Sequence, residues 1–170
     1  MCGEALVFDE AGEDEILLAA MMQLGASGGA LGGALGGAFA GSPGLSGAAG
    51  ARGGARGAAR GFKWTKKDVV EQTVKLSMDL HEASQMVLRA VAAVGQVVGS
   101  EMRDDGAATI RAVLGVGIGG LNPAVVTVII SQGEPAVSIA RVRAAGREGL
   151  IKQHPASKAL AKITPLLLVS

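Results

Sequence analysis

The sequence predicts an α+β fold: an antiparallel sheet in β-α-β-β-β-β-α order with helices on one face. A Gly/Ala-rich N-terminal helix or low-complexity segment precedes it. Three observations carry that prediction. Val74, Leu76 and Met78 alternate with Thr73, Lys75 and Ser77, the period of a half-buried strand. Asp79-Leu80-His81-Glu82 has the form of a capping box ahead of apolar residues at helical spacing. β-Branched runs broken by Asp105-Gly106, Asn122-Pro123 and Gln132–Pro135 then follow in hairpin-like succession.

The first strand ends at Met78, and Ala83, Met86, Val87, Ala90, Val91 and Val94 mark the buried stripe of the next helix, which Gly95 terminates. A short strand is expected over 97–102. Asp105-Gly106 turns it into a strand from Ala108 to about Ile118, with both central residues at positive φ. After the Asn122-Pro123 turn, 125–130 is β-branched, and 137–144 forms the last strand, broken by Gly146 and Gly149. A final helix is expected over 155–163, with Pro155 in its first turn and Pro165 limiting its length. An apolar tail, Leu166 to Val169, follows.

The chain divides into an acidic, mobile lead (1–15), an apolar glycine-ladder segment (16–41), a Gly/Ala/Arg-rich linker (42–67) and the α+β domain (68–170). The ladder is the most unusual feature. Gly25, Gly29, Gly33, Gly37 and Gly41 recur every fourth residue, with Gly28, Gly32 and Gly36 in a second register. As a helix the segment spans about 39 Å, enough to cross a bilayer, and its bare positions suit close helix pairing. Leu31, Leu35 and Phe39 form a bulky stripe beside them. Glycine costs a helix roughly 1 kcal/mol per residue against alanine, so a disordered linker stands as the alternative. Pro43 is expected to stop any helix near Gly41.

Charge is nearly balanced over the 170 residues, at a formal +1, which disfavours nucleic acid as a partner. Locally, residues 1–15 are acidic and residues 52–67 basic. Arg52, Arg56, Arg60, Lys63 and Trp64 form a candidate contact for an anionic surface, with lipid headgroups preferred to nucleic acid. By the positive-inside rule the globular domain is expected in the cytoplasm, at the inner face of the membrane. The single Cys2 excludes an intramolecular disulfide, and no metal site is expected.

Candidate chemistry is sparse. Asp79 and Glu82 beside His81 are explained by helix capping, chemistry there would need further groups converging from elsewhere, and Asp104 and Asp105 are explained by the hairpin turn. Gly115 to Gly120 superficially suggests a phosphate loop but does not open a helix. No set of residues assembles a recognisable active site, and the chain is expected not to be itself catalytic. Arg141 and Arg143 share a strand face with Val137 and Ile139, the mark of an exposed strand end, a sheet edge or a partner-binding face.

On element order alone, residues 68–169 resemble small helix-grip (START-like) domains, in which a curved sheet wraps a C-terminal helix around an apolar pocket. The core here is poorer in aromatics than theirs, and Pro165 restricts the final helix. Small inward residues (Ala108, Ala112, Gly115, Ala140) leave room for a lipid or close helix packing. In organisation only, the chain also resembles small scaffold subunits of actinobacterial respiratory oxidoreductases.

Two functions follow. One is a non-catalytic, oligomerising scaffold or membrane-attachment subunit of a larger complex, with further copies, a larger protein and a membrane surface as partners. The alternative is a carrier or sensor of a hydrophobic small molecule. No cofactor is expected beyond a bound lipid or quinone-like molecule.

Overall fold

The computed structural model describes residues 7–39, 43–148 and 152–168. Its elements are helices α1 (Glu10–Phe39) and α2 (Pro43–Trp64), strand β1 (Lys66–Leu76), helix α3 (Leu80–Val94), strands β2 (Gln96–Met102), β3 (Ala108–Val116), β4 (Asn122–Gln132) and β5 (Ser138–Glu148), and helix α4 (Pro155–Leu168). They form two compact units. One is Asp14–Lys66; the other joins the described residues up to Glu13 to those from Lys67 onward.

The larger unit is the expected α+β domain. Its five-stranded sheet has the order β1-β5-β4-β3-β2, with β2, β3, β4 and β5 paired antiparallel in sequence. Even-numbered residues of β3, β4 and β5 point to one face. There Ile110, Leu114, Val126, Val128, Ile130 and Val142 pack with Val87 and Val91 of α3 and with Leu160, Ile163 and Leu167 of α4. Ala108, Ala112 and Ala140 lie in this core, where their small size is taken up by close packing. Gly115 has the other parity and instead meets Gly120, where a methyl would come within 2.8 Å of the carbonyl oxygen.

Helix α3 begins as expected. The Asp79 carboxylate accepts from the Glu82 amide at 2.9 Å, and Gly95 follows the helix with its amide bonded to the Val91 carbonyl. Gly95 is extended, so steric room is what selects it: a methyl there would lie 2.6 Å from Leu114 Cδ1.

Several boundaries are corrected. At the β2–β3 hairpin Gly106 has φ 80°, and Asp105 does not join it at positive φ. The Gly106 amide donates to the Arg103 carbonyl at 2.9 Å, so Asp104 and Asp105 occupy the turn and Gly106 forms the left-handed step into β3. Asn122 and Pro123 open β4 rather than turning; the reversal is made by Gly117, Gly119 and Gly120, all at positive φ. β5 continues through Gly146, whose missing side chain admits the Pro155 ring. α4 runs through Pro165 to Leu168, so the leucine tail is helical and Leu167 is buried in the core.

The smaller unit replaces the expected linker with a helix. α1 ends at Phe39, ahead of Pro43 as expected, and Pro43 opens α2 where a linker was expected. α1 and α2 run antiparallel: Gly25 faces Gly54, Gly29 faces Gly50 and Gly33 faces Ser46. A methyl on Gly25, Gly29, Gly33, Gly50 or Gly54 would fall closer than 3.0 Å to the facing backbone. The ladder thus serves contact within one chain.

Gly37 is buried, whereas Gly28, Gly32 and Gly36 have open space around them. Gly41 and the Phe39 side chain fall outside the described residues. Leu31 and Leu35 are 68% and 67% exposed. α1 is long and apolar enough to cross a membrane by length and composition.

Candidate functional site

Strand β1 and helix α4 run in the same direction along the helix-covered face. Asp68 Oδ2 accepts from the Ala156 amide at 3.0 Å, and Thr164 Oγ1 donates to Gln72 Oε1 at 3.0 Å. Four strand residues advance about 13 Å and eight helical residues about 12 Å, so the two elements stay in step.

Between them lies an open groove of about 510 Å³. Its apolar wall is Val70 from β1 with Leu160, Ala161, Pro165 and Leu168 from α4. Gln72, Thr164 and Ser157 are its polar members, and no charged side chain lines it. Helical spacing explains the wall, because residues 157, 160, 161, 164, 165 and 168 share one side of α4.

At the α4 N-terminus, Asp68, Glu148 and His154 each bring one ligand-capable atom within 4.8 Å of the others. The sequence reading missed this trio because its members come from β1, β5 and the turn before α4. Their bonds account for the cluster as a cap. Besides the Asp68 contact, Glu148 Oε1 accepts from the His154 amide at 3.1 Å and lies 3.3 Å from its Nδ1.

The opposite sheet face holds a second charged cluster. Arg143 on β5 stands opposite Thr127 of β4. It donates from Nε to Glu13 at 3.0 Å, from Nη1 to Glu71 at 2.7 Å and from Nη2 to Glu10 at 2.8 Å. Thr127 Oγ1 donates to the other Glu13 oxygen at 2.9 Å. Glu13 is 1% exposed and Arg143 7%.

Burial pulls the Arg143 pKa down, but the Glu71 hydrogen bond and the Glu13 and Glu10 carboxylates outweigh it and raise it above the ordinary value. Glu10 is held below the usual carboxylate range, first by its hydrogen bond from Arg143, then by the Arg143 and Lys67 charges.

Phe8 completes the cluster. The guanidinium carbons of Arg141 and Arg143 lie 5.1 and 5.4 Å from its ring centroid, and the ring packs with Ala107 and Ile129. Asp9 caps the start of α1 through the Gly12 amide and pairs with Arg111 at 3.3 Å.

The acidic lead is therefore docked over residues 7–13, which corrects the expectation of a mobile segment; residues 1–6 lie outside the described residues. Arg143 has partners within its own chain and does not sit at an exposed strand end.

The remaining sequence candidates do not converge. Arg52, Arg56, Arg60, Lys63 and Trp64 lie exposed on α2, Trp64 at 90%. His81 meets Gln85 at 2.8 Å.

No family model and no curated protein matches the chain. Similar solved structures include an uncharacterized protein from Bacillus thuringiensis, at 8% identity over 59% of this chain and 93% of that one, with a TM-score of 0.34. A START superfamily protein from Mycobacterium smegmatis matches at 15% identity over 60% and 92%, TM-score 0.30. A point mutant of norcoclaurine synthase from Thalictrum flavum, in complex with a transition-state analogue, matches at 10% identity over 62% and 96%, TM-score 0.30.

The respiratory scaffold resemblance finds no support among these. The expectation that the chain is not itself catalytic is corrected as well, because an enzyme stands among the similar structures.

Proposed function

We propose that the protein binds a hydrophobic small molecule in the groove between β1 and α4. The observation that supports this is the groove's composition: five apolar side chains converge on a concavity of about 510 Å³ with no charge in its lining. That volume lies within the range of small-molecule sites. A lipid or quinone-like molecule is the class of ligand it suits.

Ala161→Trp tests the reading, because an indole at that exposed wall position fills the groove without entering the core. The full-length protein is expected to retain apolar material detectable by mass spectrometry after purification, and the variant to lose it. Equal retention by both proteins defeats the proposal.

A second reading is self-association through α1. It is favoured by Leu31 and Leu35, which stand two residues from Gly29 and Gly33 and so face away from α2. Arg52, Arg56 and Arg60 are likewise two residues from Gly50, Gly54 and Ala58, on the outer side of α2. A second copy covering the leucines leaves the arginines in water. Leu31→Glu with Leu35→Glu is expected to reduce the mass of the full chain in solution to that of a monomer. A species already monomeric before substitution removes this reading.

A further inference from the structure

We infer that the groove selects an uncharged ligand carrying an oxygen atom, an alcohol in preference to a hydrocarbon or a carboxylate. This inference rests on the binding reading above and specifies the chemistry of its occupant.

Gln72 is the main observation. Its Oε1 is already engaged, accepting from Thr164 Oγ1 at 3.0 Å, which fixes the amide plane at the groove wall. Among the described residues its Nε2 hydrogens have no protein acceptor, so two donors remain for whatever occupies the groove.

An uncharged oxygen, of an alcohol or a ketone, accepts from Gln72, and a hydrocarbon offers no acceptor.

A carboxylate is disfavoured for a different reason. The charged side chain nearest along this face of β1 is Asp68, itself an acid, and it is occupied by the α4 N-terminus. Of the bases on α4, Lys162 is turned to the Gly115 carbonyl at 2.9 Å, and neither it nor the exposed Lys158 lines the groove. An anion entering there loses hydration with no cation in the lining to meet it.

The test uses the full chain and probes of one length: 1-decanol, decanoate and 1-fluorodecane, the last a near-isostere with only a feeble acceptor. Binding is followed by NMR through the Gln72 side-chain amide and the methyls of Val70, Leu160 and Leu168. Decanol is expected to bind at least about fivefold more tightly than fluorodecane, the worth of one net hydrogen bond, and to shift the Gln72 amide resonances.

Gln72→Met is expected to erase that preference, read as the ratio of decanol to fluorodecane affinity within the variant. Thr164→Val provides a second variant: it keeps the Gln72 donors but frees the amide plane, so the preference for decanol is expected to shrink without vanishing. Equal binding of decanol and fluorodecane, or tighter binding of decanoate, overturns the inference while leaving the groove a binding site. No response of the groove methyls to any probe overturns the inference and the underlying reading together.

Discussion

Arg143 and Glu13 are 130 positions apart in the chain, yet the guanidinium Nε donates to the carboxylate at 3.0 Å in a buried setting. The bond ties the N-terminal acidic stretch to the sheet face that carries neither α3 nor α4. Each partner is satisfied further, Glu13 by Thr127 and Arg143 by Glu71 and Glu10. Such saturation is what allows a charge pair to remain out of water.

Removing one partner should therefore cost far more than removing both. Arg143→Met is expected to destabilise the larger unit by about 3 kcal/mol, because Glu13 is left charged and buried. The double variant with Glu13→Gln should recover a substantial part of that loss. Urea unfolding of the wild type, the two single variants and the double variant measures the coupling, and additive losses would refute it.

Acid should loosen the same contact. The Glu10 carboxyl is held low in the folded protein, chiefly by its Arg143 hydrogen bond. A depressed carboxylate contributes stability that is present above its unfolded value of about 4.3 and is lost as pH falls through the folded value. The stability difference between the wild type and Glu10→Gln should thus be full at pH 6 and shrink below pH of about 4. A difference constant from pH 6 to pH 2.5 contradicts this assignment.

The two glycine registers of α1 should respond oppositely to alanine. Gly29→Ala places a methyl against the Gly50 carbonyl and is expected to separate the helices, lowering helical circular dichroism. Gly32→Ala meets open space and should stabilise α1 by up to about 1 kcal/mol through propensity alone. Identical melting of both variants would deny the hairpin contact.

Gly95→Ala tests the junction of α3 and β2. The added carbon meets Leu114 Cδ1 at 2.6 Å and the Val113 carbonyl oxygen at 2.8 Å, and the latter is backbone that cannot rotate away. A loss of about 1–3 kcal/mol is expected in thermal unfolding. Gly99→Ala on the same strand has nothing within 4 Å and serves as the control.

Local signals carried the sheet and α3 into the sequence reading. Asp79 caps where its spacing from Glu82 says it should, and Val74 and Leu76 of the expected alternation enter the core, while Met78 lies past the end of β1. Elements stabilised by distant partners left fainter traces. α2 has the composition of a linker; Arg52, Arg56 and Arg60 at every fourth residue are its local helical sign, and backbone contact with α1, which no signal within 43–64 reports, supports the helix.

The Arg143 cluster had two separate signs, an excess of acid before residue 16 and arginines on a strand face with Ile139. Nothing local joins them. Pro123 misled because it sits one residue inside β4, opposite Gly115, where a strand end tolerates the missing donor. The groove was implied only by resemblance, since its walls depend on α4 continuing past Pro165.

The hairpin of α1 and α2 has one consequence for how this sequence can drift. A clash between two side chains is ordinarily relieved by trimming the opposite one, but Gly29 and Gly50 have nothing left to trim. A suppressor screen starting from Gly29→Ala should accordingly return reversion to glycine and no compensating change at Gly50 or Gly54.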